Sequence, residues 1–166
     1  NVVREYSGPI KYSLTSNDVG KFISEPPKNL INGQLHEANV RFKSSKKVGF
    51  AEVLVEAPGF ASETLKIRVV PGAPASIELT ANKDVVETNS LNTVVLQARL
   101  LDENGNLVDT NDTTTVTFAP TKATEGLITF VGANRAVSLN GVASAIIKGK
   151  DISGVVNIEA TAPGLK

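Results

Sequence analysis

Apolar and polar residues alternate with a period of two along most of the chain. Leu65, Ile67 and Val69, for example, are separated by cationic residues, which is the pattern of a strand with one buried face. Runs rich in β-branched residues, such as 113–118, also favour sheet over helix, and helical periodicity is almost absent. The predicted strands are 10–14, 21–23, 37–42, 50–56, 63–69, 75–80, 94–100, 114–118, 127–130, 135–138, 142–148 and 155–160.

The chain nearly repeats itself after about 105 residues, and the repeat is cut out of phase. Residues 57–60 (Ala-Pro-Gly-Phe) return as 162–165 (Ala-Pro-Gly-Leu), Gly49 returns as Gly154, and residues 1–3 resemble 106–108. This spacing is the size of one immunoglobulin-like sandwich. We therefore predict a partial sandwich over 1–70, a proline-bearing linker over 71–74, and a second sandwich over 75–166.

The predicted fold is all-β, with tandem immunoglobulin-like β-sandwiches, the first lacking its opening strands and the second its closing strand. The first unit has no counterpart of 77–80 or 94–100, and the second has none of 63–69. An unpaired sheet edge is an aggregation liability. We therefore expect either that the natural protein continues in both directions or that another chain donates a strand.

The composition of the chain argues against several classes of binding partner. Hydrophobic residues make up 41% of the chain but aromatic residues only 5%, so the core must consist mainly of Val, Ile, Leu and Ala. There are 17 Lys and Arg against 17 Asp and Glu, and without a basic surplus nucleic acid is not expected as a partner. No apolar run approaches the roughly 20 residues that span a bilayer, so no membrane insertion is expected in this segment. Cysteine is absent, which favours a bacterial or archaeal surface, or the cytosol, over a disulfide-rich secreted domain.

The acidic stretch after residue 101 is the one candidate metal site. Asp102, Asn104, Asn106 and Asp109 offer oxygen ligands, and calcium takes about six to eight of them. The EF-hand order fails, however, because Gly105 falls at the fourth loop position rather than the sixth. The alternative, which we favour, is a solvated hairpin whose Asn and Asp side chains satisfy the turn backbone. No other cofactor is expected, and no catalytic residue is predicted.

Several of these segments together carry a family resemblance. The opening strand 74–81 and the segment 95–106, which ends in Asp-Glu-Asn-Gly-Asn, are followed by Val-Thr-Phe at 116–118, by Asn-Gly-Val-Ala at 140–143 and by Gly154. This order resembles the bacterial Ig-like repeats of the invasin and intimin type. The match covers essentially all of 74–166 and is weaker in the first unit.

The resemblance implies function only in outline. Such repeats typically form stalks on bacterial surfaces, and similar modules occur in surface-layer proteins and in family 2 glycoside hydrolases, without catalysis inside the repeat. We therefore expect non-catalytic structural or spacer repeats of an extracellular, cell-surface protein, adhesin-like or surface-layer, whose partners are neighbouring Ig-like repeats of the same polypeptide. The alternatives are an accessory Ig-like module of a large secreted enzyme, such as a glycoside hydrolase, and a self-assembling subunit that uses strand donation from another copy.

Overall fold

The computed structural model describes residues 6, 8–15, 18–24 and 39–165, and these residues form an all-β structure of the immunoglobulin-like sandwich class. Contacts divide the chain into two compact units, Asn1–Val70 and Pro71–Lys166, and each is described by itself. Residues 71–74, which the sequence predicts as a linker, group with the second unit.

The first unit contains five strands among its described residues, and the second contains seven. In the first unit they are β1 (Lys11–Leu14), β2 (Gly20–Phe22), β3 (Phe42–Ser44), β4 (Gly49–Glu56) and β5 (Glu63–Val69). In the second they are β6 (Ser76–Ala81), β7 (Val94–Leu101), β8 (Thr115–Pro120), β9 (Ile128–Phe130), β10 (Arg135–Val137), β11 (Val142–Gly149) and β12 (Ile158–Thr161).

The first unit is built around β4. An antiparallel sheet has the order β1-β4-β5, and β2 and β3 form a separate two-stranded ribbon. Ala51 and Val53 on one face of β4 are buried, while Glu52 between them is paired with Lys66 of β5. Leu65 of β5, opposite Val53, is nevertheless 59% exposed. This sheet therefore shields its apolar face only in part.

The second unit is a sandwich of two antiparallel sheets, ordered β6-β7-β11-β9 and β10-β8-β12. Buried and exposed residues alternate along β7 and β11, because successive side chains of a strand point to opposite faces. The inner faces form the core, in which Leu100, Val116 and Phe118 are fully buried. The core is almost entirely aliphatic, as the composition predicts.

Each of the twelve predicted strands overlaps an observed one, but two predicted boundaries are wrong. The strand predicted over 37–42 overlaps β3 only at Phe42. Residues 39–41 are not strand, and residues 37–38 lie outside the described residues. The prediction 155–160 starts too early, because β12 begins at Ile158, the first residue that pairs with β8. The repeat match at residues 1–3 lies outside the described residues.

The repeated Ala-Pro-Gly sequence forms the same turn in both units. In 57–60 and in 162–165, the backbone N of the fourth residue donates to the carbonyl of the first, at 3.1 and 3.2 Å. Gly59 has a φ of 84° and Gly164 a φ of 78°. Proline followed by a glycine with positive φ is the signature of a type II turn. The sequence repeat is therefore also a repeat of local structure.

Candidate functional site

The turn after β7, residues 102–106, is closed by its own backbone. The backbone N of Asp102 donates to the carbonyl of Asn106 at 2.9 Å, and that of Gly105 donates to the carbonyl of Asp102 at 3.0 Å. Gly105 has a φ of 80°, a conformation that costs glycine little. The Asn-Gly pair therefore turns the chain back towards β7, as the sequence predicts.

The carboxylate of Asp102 organises this turn, and the residue is only 4% exposed. Its Oδ1 accepts hydrogen bonds from the backbone N of Asn104 at 2.8 Å and of Asn106 at 2.9 Å. The side-chain amide of Asn106 donates to both oxygens, at 3.1 and 3.0 Å. A fifth bond comes from the backbone N of Gly72 to Oδ2, at 3.1 Å. Both carboxylate oxygens are thus held by N–H donors.

These donors stabilise the ionised form of the carboxyl group. They lower the pKa of Asp102 from 3.8 to about 2, with the side-chain hydrogen bond from Asn106 as the largest cause. Burial acts in the opposite direction, and the backbone bonds from Asn106, Gly72 and Asn104 lower the pKa further. Asp102 is therefore a charged, fully engaged acceptor at neutral pH.

The bond from Gly72 ties the segment before β6 to this turn. Gly72 lies in the predicted linker 71–74, and the backbone N of Ala75 adds a second link by donating to the carbonyl of Leu101 at 2.8 Å. We call Asp102, its donors in 104–106 and Gly72 the Asp102 clamp. The segment predicted as a proline-bearing linker is therefore hydrogen-bonded to the second unit.

A second turn, at Asn140 and Gly141, lies against the same end of β7. Gly141 has a φ of 76°, and its carbonyl accepts a hydrogen bond from the backbone N of Leu100 at 2.8 Å. A Cβ at Gly141 would collide with the carbonyl of Val108. The two turns that carry the family resemblance are thus joined through the last residues of β7.

Ser138 and Asn111 secure the approach to this second turn. Ser138 is 2% exposed, and its Oγ donates to Oδ1 of Asn111 at 2.7 Å. The Asn111 side chain also accepts from the backbone N of Thr114 at 3.1 Å. Neither Ser138 nor Gly72 is predicted as a site residue by the sequence, because their hydrogen-bond partners lie 27 and 30 residues away and no local pattern signals them.

Three of the four predicted calcium ligands, Asp102, Asn104 and Asn106, share one turn, and Asp109 follows three residues later in the sequence. In the part of the chain that the structure describes, no three His, Cys, Asp or Glu side chains cluster as a metal site. A cation at Asp102 would compete with the N–H donors already bonded to both oxygens. Calcium binding here stays a prediction.

Carboxylates of the first unit form ion pairs across strands. Glu56 of β4 lies 3.2 Å from Lys11 of β1, and Glu52 lies 3.5 Å from Lys66 of β5. The ammonium of Lys66 also sits 4.7 Å from the centre of the Phe50 ring. These groups are substantially exposed, so each pair adds little stability.

No helix within the described ranges is long and apolar enough to cross a membrane.

Comparison with known proteins shows a likeness of fold. No protein-family model matches the chain, and no curated protein matches its sequence. Among solved structures, a β-glycosidase from Bacteroides vulgatus aligns with a TM-score of 0.53 and 15% identity, covering 93% of this chain and 23% of its own. A family 2 glycosyl hydrolase from Bacteroides cellulosilyticus aligns with a TM-score of 0.55 and 15% identity, covering 96% of this chain and 20% of its own.

The Escherichia coli adhesin FdeC also aligns, with a TM-score of 0.46 and 18% identity, covering 98% of this chain and 50% of its own. The chain spans about a fifth of the length of the glycosidases that it matches. At this identity the glycosidase likeness describes the fold alone.

Proposed function

We propose that this chain is a non-catalytic spacer segment of an extracellular surface protein, adhesin-like or surface-layer, in which immunoglobulin-like units are joined in series. The Asp102 clamp is the observation that carries the proposal. A spacer needs joints that resist bending, and a linker that is bonded to the adjoining sandwich has fewer conformations than a free one.

Two hydrogen bonds hold this segment, one inside the linker at Gly72 and one at Ala75, the first residue after the linker. Gly72 is held by the carboxylate of Asp102, and Ala75 by the carbonyl of Leu101 at the end of β7. Pro71 and Pro74 fix φ on either side of Gly72. Residues 71–74 therefore keep little backbone freedom relative to the rest of the second unit.

The chemistry of the described side chains supports a non-catalytic role. Asp102 is fully occupied by N–H donors that are part of the fold. Glu52 and Glu56 on β4 are paired with lysines on neighbouring strands. A general acid or a nucleophile needs a carboxyl group that can reach a substrate, whereas the carboxylate of Asp102 is buried; Glu52 and Glu56 are exposed, but each is paired with a lysine.

Distance measurements between the two units test the proposal. Because the chain has no cysteine, spin labels can be placed at Lys47→Cys and Glu125→Cys and their separation followed by pulsed electron paramagnetic resonance. We expect Asp102→Ala to broaden the distance distribution, because Gly72 loses its acceptor. The matched control is Asp151→Ala, which removes an exposed carboxylate from a loop of the same unit and should leave the distribution unchanged. Equal widths in all three chains would refute the clamp as a stiffening element.

A second candidate function is an accessory module of a large secreted glycoside hydrolase. The likeness in fold to the two Bacteroides glycosidases supports it. The sequence on either side of this segment in the natural gene distinguishes the two. Further immunoglobulin-like units favour the spacer, and a catalytic barrel favours the enzyme module.

A further inference from the structure

Positive charge is concentrated in one part of a chain whose net charge is zero. The first unit has ten Lys and Arg against seven Asp and Glu, and the second unit has the reverse. Residues 41–47 alone contain four cations and no acid. This segment includes β3 and the bend that follows it. The chain therefore has a local basic surface although its charges balance overall.

The ribbon of β2 and β3 places its lysines on one face. Lys21 lies directly opposite Lys43, and Phe22 lies opposite Phe42. Because successive side chains of a strand point to opposite faces, the two lysines share one face of the ribbon and the two phenylalanines share the other. Both lysines are exposed, whereas both phenylalanines are partly buried. The ribbon therefore has one apolar face and one cationic face.

Arg41 extends the cationic face beyond the two lysines. The backbone N of Ile23 donates to the carbonyl of Arg41 at 2.9 Å, and the backbone N of Arg41 donates to Oγ of Ser24 at 2.7 Å. Arg41 is exposed and stands two residues before Lys43, so the two side chains lie on the same face, about 7 Å apart along the chain. We call Lys21, Arg41 and Lys43 the cationic face.

A small cleft opens beside the two opposed lysines. It has a volume of about 190 Å³, and ammonium and hydroxyl groups surround it on side chains of Lys21, Lys43, Ser44 and Ser45, with Gly20 completing the lining. One water molecule occupies roughly 30 Å³ of liquid. The cleft therefore has room for an anionic group together with bound water.

Hydrogen bonds fix the backbone next to this cleft. The backbone N of Ser45 donates to the carbonyl of Val19 at 2.8 Å. Its Oγ donates to the carbonyl of Asp18 at 2.7 Å and accepts from the backbone N of Lys47 at 3.1 Å. The bend after β3 is thus fastened to the residues just before β2. The backbone positions of the cleft are therefore set by the fold.

The opposed lysines repel each other. Across the described part of the chain, no ion pair involves Lys21 or Lys43. Residues directly opposite in an antiparallel pair have Cβ atoms about 5 Å apart, and like charges at such positions destabilise the pair. An anion that accepts hydrogen bonds from both ammonium groups would replace this repulsion by attraction. The arrangement therefore favours the binding of an anion.

We propose that the cationic face and its cleft bind an acidic polysaccharide through its sulfate or carboxylate groups. Double-stranded DNA carries one negative charge for about every 1.7 Å of its length, or about four over 7 Å, whereas the face offers three cations. A polysaccharide with one acidic group on each sugar or disaccharide has a lower charge density. The hydroxyl of Ser44, which lines the cleft, can donate to and accept from sugar hydroxyls. This inference does not depend on the spacer function.

Calorimetric titration of the whole chain tests the proposal. The probes are heparin, a sulfated polysaccharide, and polygalacturonate, a carboxylated one. We expect at least one of them to bind, and to bind more weakly at about 0.15 M than at about 0.05 M salt. The probe that binds more tightly identifies the acidic group. Lys21→Gln combined with Lys43→Gln should weaken this binding by about tenfold or more, because two charge-assisted hydrogen bonds are lost.

Two control variants accompany this measurement. Lys148→Gln combined with Lys150→Gln removes two exposed lysines from the second unit and should leave the affinity unchanged. Lys21→Arg combined with Lys43→Arg keeps both charges and should retain binding. The melting temperature of the Lys21 and Lys43 glutamine variant should equal or exceed that of the wild type, because the repulsion between the two lysines is removed. Its loss of affinity would then not come from unfolding.

Three results would overturn the proposal. The first is that neither polysaccharide binds, and the second is that the two glutamine variants lose affinity equally. The third is tighter binding of duplex DNA, or of vesicles that contain anionic lipid, than of either polysaccharide, since the partner would then belong to another class. Asp102→Ala should bind polysaccharide as the wild type does, so a failure of this proposal is distinguishable from a failure of the spacer proposal.

Discussion

Adjacent isoleucines on β11 give a direct test of how the second unit is stabilised. Ile147 is 4% exposed and lies between Val94 of β7 and Phe130 of β9. Ile146, the preceding residue, points to the opposite face and is 38% exposed. The substitutions Ile147→Ala and Ile146→Ala make the same chemical change on the same strand, so the difference between them isolates burial.

The size of the effect follows from the carbons removed. Isoleucine to alanine deletes three carbons, and at about 0.8 kcal/mol for each buried one the transfer cost is about 2.4 kcal/mol. The cavity left behind raises the loss for Ile147→Ala to about 3–4 kcal/mol. Ile146→Ala should lose at most about 1 kcal/mol, from strand preference and its contact with Val95 across the strand pair.

Urea unfolding can assign this loss to one unit. The chain has no tryptophan, and its two tyrosines, Tyr6 and Tyr12, both lie in the first unit. Tyrosine fluorescence therefore follows the first unit, whereas circular dichroism follows both. We expect Ile147→Ala to shift only the transition that fluorescence does not detect. Equal losses for the two variants, or a loss below about 1 kcal/mol for Ile147→Ala, would refute the burial argument.

Three further predictions concern the turns at the end of β7. The pKa of Asp102 is about 2 in the folded chain, against an ordinary value of 3.8, so its contribution to the free energy of unfolding is complete above about pH 4 and is lost as the pH falls towards about 2. The melting temperature of Asp102→Asn should therefore lack this loss at low pH. Melting temperatures that fall in parallel for the wild type and the variant would contradict the prediction. Gly141→Ala should lower the free energy of unfolding in urea by about 1–3 kcal/mol, because the positive φ and the Val108 carbonyl both oppose a Cβ. Gly105→Ala, whose Cβ meets open space, should lower it by only about 1 kcal/mol. Equal losses would argue against the collision at Gly141. Calcium should leave the melting temperature unchanged, and a rise that Asp102→Asn abolishes would instead establish the calcium site.

Periodicity was sufficient to predict the fold class. The alternation in β7 and β11 is regular because each has one face against an apolar layer, and the all-β prediction is confirmed. The start of β12 was not predictable in the same way. Residues 155–157 have the composition of a strand, but the strand pairing with β8 begins only at Ile158.

The candidate site was predictable only in its local part. The Asp-Glu-Asn-Gly-Asn sequence marks a turn and places Asp102 where Asn104 and Asn106 can donate to it. The bond from Gly72 joins residues that are 30 positions apart, and any backbone N–H can make it. Since such a bond depends on the path of the chain rather than on a side chain, composition and spacing do not encode it.

The exchange rate of the Gly72 amide tests the clamp most directly, because its hydrogen-bond acceptor is Oδ2 of Asp102. It should be measured at neutral pH in the wild type, in Asp102→Ala and in the control Asp151→Ala. We predict an amide that exchanges slowly in the wild type and in the control, and about tenfold or more faster in Asp102→Ala. A Gly72 amide that exchanges in the wild type as fast as in an unstructured peptide would contradict the claim that Asp102 fastens the linker.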